Sequence, residues 1–101
     1  MSEEIPVACC LSDSELRIRE VTLLAQFKAA VIESEELDNG FLFRVRGDNK
    51  SVALVTELIM AERECCPFLK FELILEPAMG PISVCMTGPA GTKEFLKSIL
   101  T

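Results

Sequence analysis

The sequence predicts an α+β domain, a two-layer sandwich whose helices cover one face of a four-stranded, mainly antiparallel sheet, in the order α-ββ-α-ββ-α. Three observations predict it. Stretches with apolar residues at three- and four-residue spacing are opened by capping residues and closed by breakers. Two runs that alternate apolar with polar or small residues, Phe41 to Arg46 and Ile82 to Thr87, each follow a turn-forming cluster. A shift of about 41 residues lays Phe41 to Gly47 on Ile82 to Gly88, and Leu54, Val55, Leu58 and Ile59 on Phe95, Leu96, Ile99 and Leu100, so the halves look like one repeated strand-strand-helix unit.

Residues 1–11 are expected to form an N-terminal extended segment. Ser12-Asp13-Ser14-Glu15 then reads as a capping box, with Leu11 and Leu16 as its hydrophobic staple. Leu16, Leu23, Phe27 and Ala30, widened by Leu24 and Val31, give an amphipathic helix over residues 13–31. Asn39-Gly40 tolerates the positive φ of a type I′ turn and joins Ile32–Leu37 to Phe41–Arg46 as a hairpin. Gly47-Asp48-Asn49 ends that hairpin and caps a second helix with Val52, Val55, Leu58 and Ile59 on its apolar face, which Pro67 stops. Phe68–Glu76 and Ile82–Thr87 form a second hairpin around Pro77-Ala78-Met79-Gly80-Pro81, and Phe95, Leu96, Ile99 and Leu100 mark a short closing helix from Thr92. Alternation points Phe41, Phe43, Val45, Ile82, Val84 and Met86 toward the helices; Leu42, Arg44, Arg46, Ser83, Cys85 and Thr87 face away. The uncovered face, with Leu42 and Ile74, offers a homodimer surface.

At 101 residues the chain fits one domain, 1–101, large enough for a real core. A net charge of −6 with scattered Lys and Arg argues against nucleic acid as a partner. The longest apolar stretch, Val52 to Ala61, is too short to cross a membrane, and the acidic Met1-Ser2-Glu3-Glu4 start is unlike a secretory signal, so a cytoplasmic location is expected. In that compartment five cysteines are expected as thiols rather than a disulfide framework. The absence of His, Trp and Tyr removes the commonest base and the commonest metal ligand, which leaves sulfur and carboxylate for any metal site.

The chemistry concentrates in two vicinal pairs, Cys9-Cys10 and Cys65-Cys66. The first pair precedes a helix N-terminus, where the dipole favours a thiolate. The second closes the second helix, where exposed carbonyls and the neighbouring acids favour a bound cation. If the halves are related by a twofold axis normal to the sheet, helices 1 and 2 run antiparallel and the pairs converge. Three or four thiolates would suit Zn²⁺, Hg²⁺ or Cu⁺, and vicinal thiols also capture As(III). Against this, free cysteine often serves as a small core hydrophobe, and the spacing of Cys65 from Leu54, Leu58 and Ala61 points it inward. Cys85 belongs to neither pair. Glu62 and Glu64 read as a solvated helix end that can also supply an oxygen ligand or a base.

Ala8-Cys9-Cys10-Leu11-Ser12, Glu64-Cys65-Cys66-Pro67-Phe68 and Gly91-Thr92-Lys93-Glu94-Phe95 together resemble a family of small bacterial proteins. Its members carry an Ala-Cys-Thr-Leu-Ser-like start, a Glu-Cys-Cys-Pro-Phe centre and a Gly-Thr-Lys-Glu-Phe-like end. Cys9 matches the family cysteine, whereas Cys10 stands where the family has Thr. The family is loosely associated with heavy-metal resistance and brings no assigned activity. The cysteine pairs themselves point to a thiolate-based binder of a soft metal or metalloid ion, and leave open whether the chain also has an enzymatic activity. The ligands expected are Cys9, Cys65 and Cys66, with Cys10 or Glu62 as a fourth. Two other readings stand beside it: a thiol redox protein, and a non-catalytic interaction or dimerisation module whose cysteines are packing.

Overall fold

A computed structural model describes residues 14–100. The elements run α1 (Ser14–Ala30), β1 (Val31–Leu37), β2 (Gly40–Val45), α2 (Asn49–Cys65), β3 (Lys70–Leu75), β4 (Ile82–Thr87) and α3 (Thr92–Leu100). That is the expected α-ββ-α-ββ-α order, folded as one α+β sandwich. The four strands form an open antiparallel sheet in the order β1-β2-β4-β3, a sequence symmetric about the central β2–β4 pair. No helix among the described residues is long and apolar enough to cross a membrane.

The strand faces follow the alternation. Phe43, Val45, Ile82, Val84 and Met86 are buried with Leu23, Leu24 and Phe27 of α1, Val55 and Leu58 of α2 and Leu96 of α3 in one core. Phe27 and Phe43 meet edge to face at 5.4 Å between ring centres, the offset geometry that aromatic quadrupoles favour. On α1 the buried stripe is shorter than the sequence suggests, because Leu16, its expected first member, is exposed. The capping box rests on Ser12, which lies outside the described residues.

The first hairpin differs from its expected turn. Leu37 pairs Gly40, so the loop is Asp38-Asn39, and neither Asn39 nor Gly40 has a positive φ. Gly40 serves a different purpose: a Cβ there would collide with the Met86 carbonyl of β4, so glycine lets the two central strands close. Positive φ appears instead in the second hairpin, at Ala78 and Met79, both at 58°, closed by a Gly80 amide donating to the Pro77 carbonyl at 3.1 Å.

α1 and α2 pack against each other. Arg19, early in α1, forms a 3.7 Å ion pair with Glu57 at the midpoint of α2, while Ala29 and Ala30 line a groove with Ser51 and Ala53 at the start of α2, and Glu20 lies beside Glu62 and Cys65 near its end. The helices are therefore antiparallel, and the first turns of α1 lie beside the last turns of α2. α2 is opened by Asp48, whose side chain accepts from the Ser51 amide at 3.1 Å, and it ends where Pro67 follows Cys66.

Candidate metal centre

The C-terminal turns of α2 carry the chemistry. Its buried stripe runs Ser51, Val55, Leu58, Glu62 and Cys65, so the stripe that packs Val55 and Leu58 into the core also carries a carboxyl and a thiol inward one or two turns later. Glu62, Cys65 and Cys66 are each 1% exposed. The solvated helix end expected for Glu62 and Glu64 holds only for Glu64, because α1 lies over Glu62.

Cys66 donates its thiol to Glu62 Oε2 at 3.3 Å, one turn back, and its backbone amide donates to the Glu62 carbonyl at 2.6 Å. The residue has left the helix, with φ −127° and ψ 74°; it avoids the helical region that a following proline disfavours but falls short of the extended conformation the proline usually brings. Glu62 Oε1 is buried with no hydrogen-bond partner. A buried polar atom left in that state costs about 1–3 kcal/mol. Across the helix interface, Glu20 of α1 completes the group: one ligand atom from each of Glu20, Glu62, Cys65 and Cys66 lies within 4.8 Å of all the others. Phe68 and Phe95, edge to face at 5.1 Å, back the two cysteines as a small satellite core.

The electrostatics follow from this packing. Burial pushes Glu62 up to about 7, the Glu20 charge pushes in the same direction, and the Cys66 hydrogen bond opposes both. Glu20 is also raised, by burial, against the pull of Arg17. Two acids thus face two sulfurs where the carbonyl end of α2 makes the potential more negative still.

Cys65 is disulfide-bonded, which departs from the expectation of thiols throughout, and its partner lies outside the described residues. Cys66 and Cys85 are thiols. A cleft between α1 and α3 leads to this region, with Glu20 and Cys65 in its wall and Arg17 and Lys28 beside them.

Of the residues the sequence singled out, the structure brings together Glu62, Cys65 and Cys66. Cys9 and Cys10 lie outside the described residues. Cys85 sits on the uncovered face opposite Leu42 and Glu72, away from the group, its thiol pushed up by burial and by Glu72 and Glu35. Glu20 is the member that sequence reasoning missed. Its signal is a carboxylate in register with Leu23, Leu24 and Phe27, at the place where the apolar stripe of α1 should continue.

Comparison of the chain with known protein families, curated proteins and solved structures found no match.

Proposed function

We propose that the protein is a small thiolate- and carboxylate-based binder of a soft or borderline metal ion, held by Glu20, Glu62, Cys65 and Cys66. The observation that carries this reading is the convergence of the four donors within 4.8 Å, together with the orphaned Glu62 Oε1. A tetrahedral zinc site with bonds of 2.0–2.3 Å has ligand–ligand edges of about 3.3–3.8 Å. The widest pair would therefore draw in by about 1 Å, within the reach of a Glu rotamer change.

The mixed donor set favours Zn²⁺, which accepts both thiolate and carboxylate, over Cu⁺, which selects sulfur. Recruitment of Cys9 or Cys10 in place of a carboxylate would turn the same centre toward Hg²⁺ or As(III). Binding requires Cys65 as a thiolate, so the competent state is the reduced one, as a cytoplasmic setting would maintain.

The test is titration of reduced, metal-free protein with Zn²⁺, and with Co²⁺ as a spectroscopic reporter. One equivalent binds, with thiolate-to-cobalt charge transfer. Cys66→Ser and Glu62→Gln each weaken binding by at least about tenfold, as loss of a ligand should, while Cys85→Ser leaves it unchanged. Affinity that is unaltered in both the Cys66 and the Glu62 variants would overturn the assignment. Cys9→Ser and Cys10→Ser report whether either cysteine joins the centre.

The Cys65 disulfide supports a second reading, a thiol redox centre in which Glu62 takes the proton of Cys66 where other proteins use His. It predicts that Glu62→Gln slows reaction of the Cys66 thiol with a disulfide probe. A rate equal to that of the parent protein removes it.

A further inference from the structure

The two edges of the sheet are built differently. β1 presents Glu33, Glu35 and Glu36, all exposed, and its register with β2 is interrupted between Val31 and Glu33. Charges and bulges of this kind prevent edge pairing. β3, the opposite edge, pairs β4 over all six of its residues without interruption and leaves Leu73, Ile74 and Leu75 36%, 48% and 54% exposed. A flat edge with apolar side chains is a template for another strand.

Register fixes which way these side chains point. Phe71, Leu73 and Leu75 stand opposite Met86, Val84 and Ile82, so they lie on the helix-covered side of the sheet. The helix layer stops short of them. An open groove remains between β3 and α2, with Leu73 on one wall and Ile59 and the exposed Met60 on the other.

We propose that this edge pairs with β3 of a second copy of the chain, antiparallel and centred on Leu73, to form a continuous eight-stranded sheet. The sequence is self-complementary in that register. Leu73 meets its own copy, Phe71 meets Leu75, and Lys70 meets Glu76 at both ends, because a twofold contact repeats every pair; Glu72 opposite Ile74 is the one pair of unlike character. The internal Lys70–Glu72 pair, 3.7 Å and largely exposed, competes weakly for Lys70.

The other edge and the open face are less suited. β1 against β1, centred on Ser34, would set Glu33 against Glu35 twice. The uncovered sheet face, which the sequence offered as the dimer surface, carries the Glu33–Arg44 ion pair and places Glu35 and Glu72 around Cys85. Two such faces would bring carboxylates together. The β3 proposal is independent of the metal reading, since none of its residues belongs to the metal group.

The test is the mass in solution of the full chain under reducing conditions, by light scattering and sedimentation across the micromolar range. The expected mass is twice 11.2 kDa. Lys70→Glu alone and Glu76→Lys alone each weaken the dimer by roughly tenfold, because both symmetric cross-strand pairs change from attraction to repulsion. The double swap restores it. Both positions are exposed, so far-UV circular dichroism should be the same in all four proteins. A parent protein that stays at 11.2 kDa throughout overturns the proposal. So does a dimer that the single swaps leave intact, or one that the double swap fails to restore, since either would place the contact elsewhere.

Discussion

Glu62 gives the sharpest test of how the site is built, because its burial ties stability to pH in a direction opposite to the usual carboxylate. Its pKa rises from 4.5 to about 7, chiefly through burial. Below pH 4.5 the group is protonated in both folded and unfolded chains and contributes nothing. Between 4.5 and about 7 the unfolded chain has released the proton while the native chain still holds it, so stability falls as pH rises. Above 7 the loss is complete. At 1.36 kcal/mol per unit, a shift of about 2.5 units amounts to about 3 kcal/mol.

The perturbation is Glu62→Gln, which keeps the shape and removes the titration. The assay is urea unfolding followed by circular dichroism, since the chain has no Trp or Tyr to report by fluorescence. Chelator is present and reductant absent, so that Cys65 keeps its disulfide. Glu20, Glu36 and Asp48 also have shifted pKa values, so the informative quantity is the parent-minus-variant difference at each pH. The buried amide of Gln adds a constant offset and leaves the slope untouched. The difference should change by about 3 kcal/mol from pH 4.5 to pH 8, with the parent losing ground as pH rises. A difference that is flat within experimental error would refute the claim that Glu62 is buried as an acid.

Two further outcomes can be checked, one at the acid pair and one in the second hairpin. Glu20→Gln removes the charge that helps to raise Glu62, so the pH at which the parent loses stability moves down, read as the midpoint of the same difference curve, while burial keeps it above the ordinary 4.5. In the second hairpin, Ala78→Asn with Met79→Gly places residues that tolerate positive φ where both positions have φ 58°. Relief of that strain should add about 1 kcal/mol, or roughly 4–8 °C in Tm for a domain of this size. No gain would mean that the turn is not left-handed at those positions.

The same two hairpins show what the sequence could and could not convey. The alternation from Phe41 to Val45 and from Ile82 to Thr87 determined which face each residue takes, because a period of two leaves only two choices and one of them buries charge. Turn chemistry was less transparent. Asn39-Gly40 is the usual signal for positive φ, yet Gly40 is required by its approach to Met86 in the distant strand β4, a demand absent from the local sequence. Ala78-Met79 shows the converse. Two residues that resist positive φ adopt it because strands β3 and β4 are paired up to their ends and the short loop must close.

The candidate metal group was legible one helix at a time, and only the pairing of helices brought its members together. Glu62 is in step with Val55, Leu58 and Cys65, and Glu20 is in step with Leu23, Leu24 and Phe27, so each helix carries an acid on its buried stripe. A single such acid usually reaches past its helix to water. Antiparallel packing of α1 on α2 denies that escape by setting the two acids against each other. It also adds the negative end of α2 and leaves one carboxyl oxygen unpartnered. Each of these features destabilises the metal-free fold, and a cation held as proposed would relieve all of them at once. Zinc at about 100 times its Kd would contribute about 2.7 kcal/mol, comparable to the penalty assigned to Glu62 alone. Because binding requires the ionised carboxyl and thiolates, this contribution grows with pH through the range in which the metal-free protein weakens. Saturating zinc should therefore flatten or invert the pH profile of the reduced protein. A profile that keeps its downward slope with zinc present would separate the buried acid from any role in holding metal.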